Sequence, residues 1–283
     1  MLNSQDYIDA FIKLQELCFT VTKIAARHIQ PGVSEAALAE IYHSELACHN
    51  ITEFWYPTLI CAGEYTGQPL TRRNHLPSPD VRIRQNDIVI LDTTPFSRTV
   101  WGNWSIVQTI GDDPFYHKLA NDIFAVTIQI ASEVLRGDYR SLGDIHSRCT
   151  AKAATYGLDS IDIRGNVGHD ITQVPVGQTV DKTPLSERVF IDAANQPFAQ
   201  PHLISIEPEL ARINPSDGIR YGGKFQFIVP FGYGAAGRQL IAMQRQFYSE
   251  MAIEQNNSAM QETLQLIPQA SPARKRSAPK FKP

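Results

Sequence analysis

The sequence predicts an α+β fold of two pseudo-equivalent lobes, each a helix pair followed by strands, with the strands pooled centrally and the helices outside. Three observations carry this. Apolar residues recur at helical spacing in two pairs of segments, one pair in each half of the 283-residue chain. The second segment of each pair has the same length, Ser34 to Asn50 and Ser141 to Gly157, and their starts lie 107 residues apart (34 and 141). Strand-like apolar runs follow each pair, and no Pro/Gly/Ser-rich linker divides the halves.

The first helix is expected from Ser4 as N-cap, with Tyr7, Ile8, Phe11, Leu14, Cys18, Val21 and Ala25 on one face, until Pro31-Gly32 breaks it. Ser34 caps the second, which carries Leu38, Ile41, Tyr42 and Leu46 on its apolar side. In the other half Asp113 caps a helix with Pro114 at its first position and Gly137 at its end. Leu119, Ile123, Val126, Ile130 and Val134 line it. Ser141 and Asp144 have the spacing of a capping box, and Leu142, Ile145, Cys149 and Ala153 lead on to Gly157. Strands are expected at Asp87-Ile88-Val89-Ile90-Leu91 and Leu203-Ile204-Ser205-Ile206. We therefore expect one domain over residues 1–250, with a ligand cleft where the lobes meet, and a C-terminal extension over 251–283.

Hydrophobic residues make up 43% and charged residues 19%, which fills a core and excludes global disorder. No apolar run reaches the roughly 18 residues of a membrane span. The start, Met1-Leu2-Asn3-Ser4-Gln5-Asp6, lacks the basic and apolar blocks of a signal peptide, so a cytoplasmic home is expected. Cys18, Cys48, Cys61 and Cys149 show no Cys-x-x-Cys spacing and read as reduced, buried thiols. Net charge is −3, yet Arg274, Lys275, Arg276, Lys280 and Lys282 crowd a tail without acids. Setting those five aside leaves a body at −8, which argues against nucleic acid as a partner. The tail is Pro-rich and poor in apolar residues, so disorder is expected from about residue 270.

Polar groups stand within apolar, strand-like sequence at Asp92, at Asn103 (in Trp101-Gly102-Asn103-Trp104), at His169 (in Gly168-His169-Asp170-Ile171), at Glu207 (in Ile206-Glu207-Pro208) and at Gln226 (in Lys224-Phe225-Gln226-Phe227). A carboxylate at the end of a buried strand is costly unless a metal, a cation or several donors compensate it. Gly232-Tyr233-Gly234-Ala235-Ala236-Gly237 spells a dinucleotide fingerprint, but too little chain follows it for the parallel sheet that fingerprint serves. It reads as a turn, and no nucleotide cofactor is expected.

The order and gaps of these motifs resemble the methionine aminopeptidase/creatinase/prolidase family, whose fold is called pita-bread. The resemblance runs from about Phe11 to Val229. It rests on the duplicated layout, on Asn86-Asp87-Ile88-Val89-Ile90-Leu91-Asp92, on Gly168-His169 and on Ile206-Glu207-Pro208. Phe54-Trp55-Tyr56-Pro57 is similar to a Phe-Trp-His-Pro stretch in a small bacterial branch. The resemblance implies lobes around a central curved antiparallel sheet. It also implies five ligands for two divalent metals, of which Asp92, His169 and Glu207 match three. Asn103 and Gln226 stand where the family has its two bridging carboxylates. An amide offers one neutral oxygen and an NH₂ that cannot ligate. Two dications roughly 3.5–4 Å apart need bridging anions. The dinuclear site is therefore not expected here.

Two site chemistries stay open: one divalent metal (Fe, Mn or Zn) on Asp92, His169 and Glu207, or a metal-free site. In either, the resemblance assigns acid–base work to His75, His169 and Glu207. It leaves Val176 where a second proton-transfer histidine belongs, and Tyr56 in place of another. Asn103 and Gln226 are expected to bind substrate, Arg72 and Arg73 to clamp a carboxylate, and Tyr56 and Trp104 to wall the pocket beside Trp101. The reading is a divergent aminopeptidase- or creatinase-like enzyme. Its substrate would be a small amide, amino-acid-like or peptide-like molecule, with C–N bond hydrolysis the leading reaction. The rivals are a mononuclear aminopeptidase and a non-catalytic binding module. A small-molecule or peptide-like partner is expected, with no nucleic acid or membrane, and a homodimer is compatible with the sequence.

Overall fold

A computed structural model describes residues 4–70, 76–139, 141–176, 178, 184, 188–194 and 202–268. Helix α1 (Ser4–Arg27) and helix α2 (Glu35–Cys48) precede strands β1 (Glu53–Phe54) and β2 (Leu59–Ala62) and a 3-10 turn, Gly63–Gly67. Strands β3 (Asp87–Thr93), β4 (Pro95–Ser97), β5 (Val100–Trp101) and β6 (Trp104–Ile110) complete the first half. The second half repeats the order. Helices α3 (Pro114–Arg136) and α4 (Leu142–Thr155) lead to β7 (Asp159–Ser160), β8 (Gly168–Ile171), β9 (His202–Ile206), β10 (Leu210–Ile213), β11 (Arg220–Gly223) and β12 (Phe227–Phe231). Helices α5 (Gly234–Glu254) and α6 (Ser258–Leu264) follow.

The duplication extends to the sheets. Strands pair as β2-β3-β6 in the first half and β8-β9-β12 in the second, all antiparallel. Two smaller antiparallel sheets, β1-β4-β5 and β7-β10-β11, match in the same way. The caps that the sequence signals are present. Ser34 accepts from Ala37 N, Asp113 from Phe115 N with Pro114 behind it, and Ser141 and Asp144 form a reciprocal capping box. Gly137 ends α3 in the left-handed conformation, φ 81°.

Strand β3 is buried along its whole length, which explains its unbroken apolar run. The lobes meet at close backbone approaches. A Cβ on Gly67 would lie 2.0 Å from the Arg220 carbonyl oxygen, and Gly222 N donates to Thr66 Oγ1 at 3.1 Å. On the opposite side Val174 N donates to the Thr99 carbonyl at 3.1 Å, and the Tyr7 hydroxyl to that of Ile171 at 3.0 Å. Gly232 and Tyr233 turn the chain from β12 into α5, whose first residues are Gly234–Gly237, and among the described residues no strand follows. Cys18, Cys61 and Cys149 are buried, but Cys48 is exposed, which corrects the expectation that all four thiols are inside. No described helix is long and apolar enough to cross a membrane. The basic tail, 271–283, lies outside the described residues.

Candidate active site

Four polar side chains that line one cleft come from both halves. Asp92 ends the buried run of β3, and Asn103 sits in the bend between β5 and β6. His169 lies on β8, and Glu207 directly follows β9. Asn103 is held from behind by α1: buried Gln15 donates through Nε2 to its carbonyl at 2.9 Å and accepts its N–H at 3.1 Å. Close packing of Gly102 on Cys18, where a Cβ would come within 2.5 Å of the sulfur, fixes the same bend.

A fifth group completes the cluster, and it is a cation. Lys224 directly follows β11, and its carbonyl accepts from Ser105 Oγ at 2.8 Å. Its Nζ stands 2.5 Å from Asp92 Oδ2 and 3.9 Å from Glu207 Oε1. All three side chains are at most 9% exposed. Glu207 Oε1 also faces His169 Nε2 at 2.9 Å, while its Oε2 accepts from Ser205 Oγ at 2.9 Å and Asn103 Nδ2 at 3.2 Å.

The protonation of the histidine follows from its neighbours. His169 Nδ1 lies 2.7 Å from the Asp170 carbonyl, which can only accept, so Nδ1 carries hydrogen. A neutral ring would then turn a bare Nε2 toward a carboxylate oxygen. Nε2 also lies 3.2 Å from Asn103 Nδ2, a donor that a neutral ring could accept from. Protonation instead makes the 2.9 Å contact an imidazolium–carboxylate pair, which the Glu207 charge favours. Burial opposes charge on His169, but the adjacent Glu207 carboxylate raises its pKa above 6.5 overall. Burial likewise opposes charge on Glu207, yet Lys224 and His169 hold it down at about 2. Burial pushes Asp92 up while Lys224 pulls it back. Lys224 itself is driven well above its ordinary value, because Asp92 and Glu207 outweigh its own desolvation.

These groups floor a cleft of about 290 Å³. Trp101 stacks on the His169 ring at 5.6 Å and on Trp55 at 5.4 Å, forming one wall, with its Nε1 anchored on the Thr172 carbonyl at 2.9 Å. Tyr56, Asp162, Arg164, Asp170, Arg188 and Glu209 are also in the lining. The Arg164 guanidinium lies over the Phe190 ring at 5.4 Å.

The structure thus brings together Asp92, Asn103, His169, Glu207 and Tyr56, as the sequence indicates. Two expected members are elsewhere. Trp104 is wholly buried among Phe19, Phe247 and Tyr248 and does not line the cleft; Trp101 does. Gln226 is not in the lining either; its side-chain amide is buried with neither polar atom hydrogen-bonded. The cause is local: β11 stops at Gly223 and β12 starts at Phe227, so strand alternation does not carry across 224–226. His75, Arg72 and Arg73 lie outside the described residues. Val176 is 76% exposed. Sequence reasoning missed Lys224 and Glu209, although the Gly222-Gly223 pair before the lysine was a signal of close backbone approach.

The donor set does not fit a divalent metal. The Lys224 ammonium already pairs with Asp92 and stands 3.9 Å from Glu207, and His169 Nε2 is engaged by Glu207. A dication would add uncompensated charge beside a buried ammonium. Among the described residues no three His, Cys, Asp or Glu side chains are placed to hold an ion, so the single-metal set of Asp92, His169 and Glu207 is not assembled.

The sequence model of metallopeptidase family M24 matches residues 10–229. A search of curated proteins finds no match. Among solved structures the chain is similar to the prolidase from Pyrococcus horikoshii, at 15% identity and TM-score 0.60, covering 81% of this chain and 60% of that one. It is similar to the dipeptidase PepE from Mycobacterium ulcerans, at 19% identity and TM-score 0.61, covering 82% and 57%. The methionine aminopeptidase from Rickettsia prowazekii gives 16% identity and TM-score 0.62, covering 82% of this chain and 96% of that one. The chain therefore spans less than two thirds of the prolidase and dipeptidase chains and nearly all of the aminopeptidase.

Proposed function

The chain belongs to metallopeptidase family M24, and we propose that it is a hydrolase of C–N bonds in small amino-acid-like or peptide-like substrates that works without a metal. The observation that carries this reading is the 2.9 Å contact between His169 Nε2 and Glu207 Oε1 at the floor of the cleft. Water adds to the carbonyl carbon as the Glu207 carboxylate takes one of its protons, and the His169 proton passes to the nitrogen as the C–N bond of the resulting tetrahedral adduct breaks. Glu207 then returns its proton to His169, which restores the starting state. Water supplies OH to the carbonyl carbon and H to the amine, so atoms and charge balance. Asn103 holds Glu207 in place. A cleft of about 290 Å³ suits a single amino-acid derivative or a dipeptide. Trp55, Trp101 and Tyr56 provide its apolar wall, and Arg164 and Arg188 provide guanidinium partners for a carboxylate. His75 keeps the assisting role that the resemblance implies.

The test is amine release from a panel of dipeptides, N-acyl amino acids and small amides, with the protein held in chelator throughout. Turnover is expected to survive chelation. Glu207→Gln and His169→Ala should each lower kcat by about 100-fold or more. Activity that appears only when Mn²⁺, Co²⁺ or Zn²⁺ is added would refute the reading.

A further inference from the structure

Lys224 differs from an ordinary buried lysine in how firmly it is built in. The strand before it approaches its neighbours so closely that two successive residues are glycine. A Cβ on Gly222 would lie 2.6 Å from the Thr66 carbonyl oxygen, and one on Gly223 would lie 2.7 Å from Val107 Cγ2. This approach brings the lysine backbone onto Ser105 and directs the side chain inward to Asp92. The ammonium has three N–H donors. Asp92 takes one at 2.5 Å; Glu207, at 3.9 Å, is beyond hydrogen-bond reach, and the side chain lines the cleft. Donor capacity is therefore available to a substrate oxygen. Nearby, Asn103 makes a direct bond to Glu207, where an anionic side chain would repel it.

We propose that Lys224 is a tethered cation standing in for the divalent metals that the family name implies. It keeps them out of the cleft and offers one fixed positive charge to the substrate's carbonyl oxygen. Without it, Asp92, His169 and Glu207 are free to close on a divalent cation, which they are not placed to do while the ammonium stands among them. The catalytic part of this proposal rests on the metal-free reading above; the metal-exclusion part does not, and can be measured on protein that turns nothing over. The physical basis is charge. Removing the ammonium leaves two buried carboxylates with only His169, beside Glu207, to meet them, and a small cation with oxygen and nitrogen ligands is the group that such a deficit attracts.

The experiment titrates Co²⁺ and Mn²⁺ into wild type, Lys224→Met and Lys224→Met/His169→Ala. Binding is read by calorimetry, by the visible absorption of bound Co²⁺ and by the shift in Tm. Wild type should show no saturable binding and no Tm shift. Lys224→Met should take up one equivalent with a raised Tm, and the double variant should lose it. Lys224→Arg, which keeps the charge, should exclude metal as wild type does. If Lys224→Met folds only when refolded with Mn²⁺, that supports the proposal. Stoichiometric metal in wild type overturns it, as does a Lys224→Met protein that folds and binds none. The wild-type and Lys224→Arg titrations decide the exclusion claim even if the methionine variant does not fold. Failure of the hydrolase reading appears separately, as absence of turnover with these binding results intact.

Discussion

Glu209 lies two residues beyond Glu207 in the wall of the cleft, and burial pushes its carboxyl up to about 8 against the pull of Lys224. In the folded protein it keeps a proton that the unfolded chain releases above about 4.5. The folded state binds more protons across that interval, so this contribution to stability is fully present below about 4.5 and is lost as pH rises to about 8. The urea midpoint should fall over this window, and Glu209→Gln should flatten the fall; an unchanged slope in the variant would contradict the assignment. Glu209 and Lys224 also mark the limit of what single residues reveal. Asp92, Asn103, His169 and Glu207 were legible because each interrupts an apolar run with a group that apolar surroundings penalise. A lysine at the start of such a run reads instead as its solvated end. A glutamate after Pro208 reads as part of a turn.

At the scale of the elements, the placement of His169 depends on how tightly β8 lies against β9. Gly168 has φ 152°, and a Cβ there would sit 1.9 Å from the Ser205 carbonyl oxygen. Gly168→Ala should therefore force the strands apart at the His169–Ser205 pairing, costing about 1–3 kcal/mol. It should also lower turnover through the displaced imidazole. Gly165→Ala is the control: its φ is 67°, but no atom lies within 4 Å of the added carbon. Equal losses in the two variants, measured by urea unfolding and kcat, would remove close strand approach as the cause. Helix ends were readable because caps are local chemistry, a side-chain oxygen meeting an N–H two or three residues away. The gap between β11 and β12 was not, because period-two alternation assumes a continuous strand. Gln226 was expected in the cleft because the resemblance sets it at the family's last ligand position; Lys224 stands in the cleft instead.

Across the whole molecule the two halves are joined by an aromatic cluster. Trp104 of β6 meets Phe19 of α1 at 4.4 Å and both Phe247 and Tyr248 of α5 at 5.1 Å. Tyr248 passes the contact to Phe124 of α3 at 5.0 Å, and Phe124 to Phe225 at 5.0 Å. Trp104→Ala should cost about 3–5 kcal/mol. Trp104→Phe should cost clearly less, since it also removes a buried indole N–H that has no hydrogen-bond partner. Calorimetric melts of the two variants test this, and similar losses would show that the ring volume matters little. The equal spacing of Ser34 and Ser141 made the duplication legible, because both caps start equivalent helices. The crossing contacts at Gly67 and Val174 were not, since nothing in a linear pattern says which loop will meet which strand. The pairing of Asp92 with Lys224 has a consequence for biosynthesis. The two residues are 132 positions apart (92 and 224), and at 5–20 residues per second the ribosome delivers the lysine roughly 7–26 s after the aspartate. Until then the nascent first half has an acid in its best-packed strand and no ammonium to meet it, so it must hold that strand open to water or bury the acid as COOH.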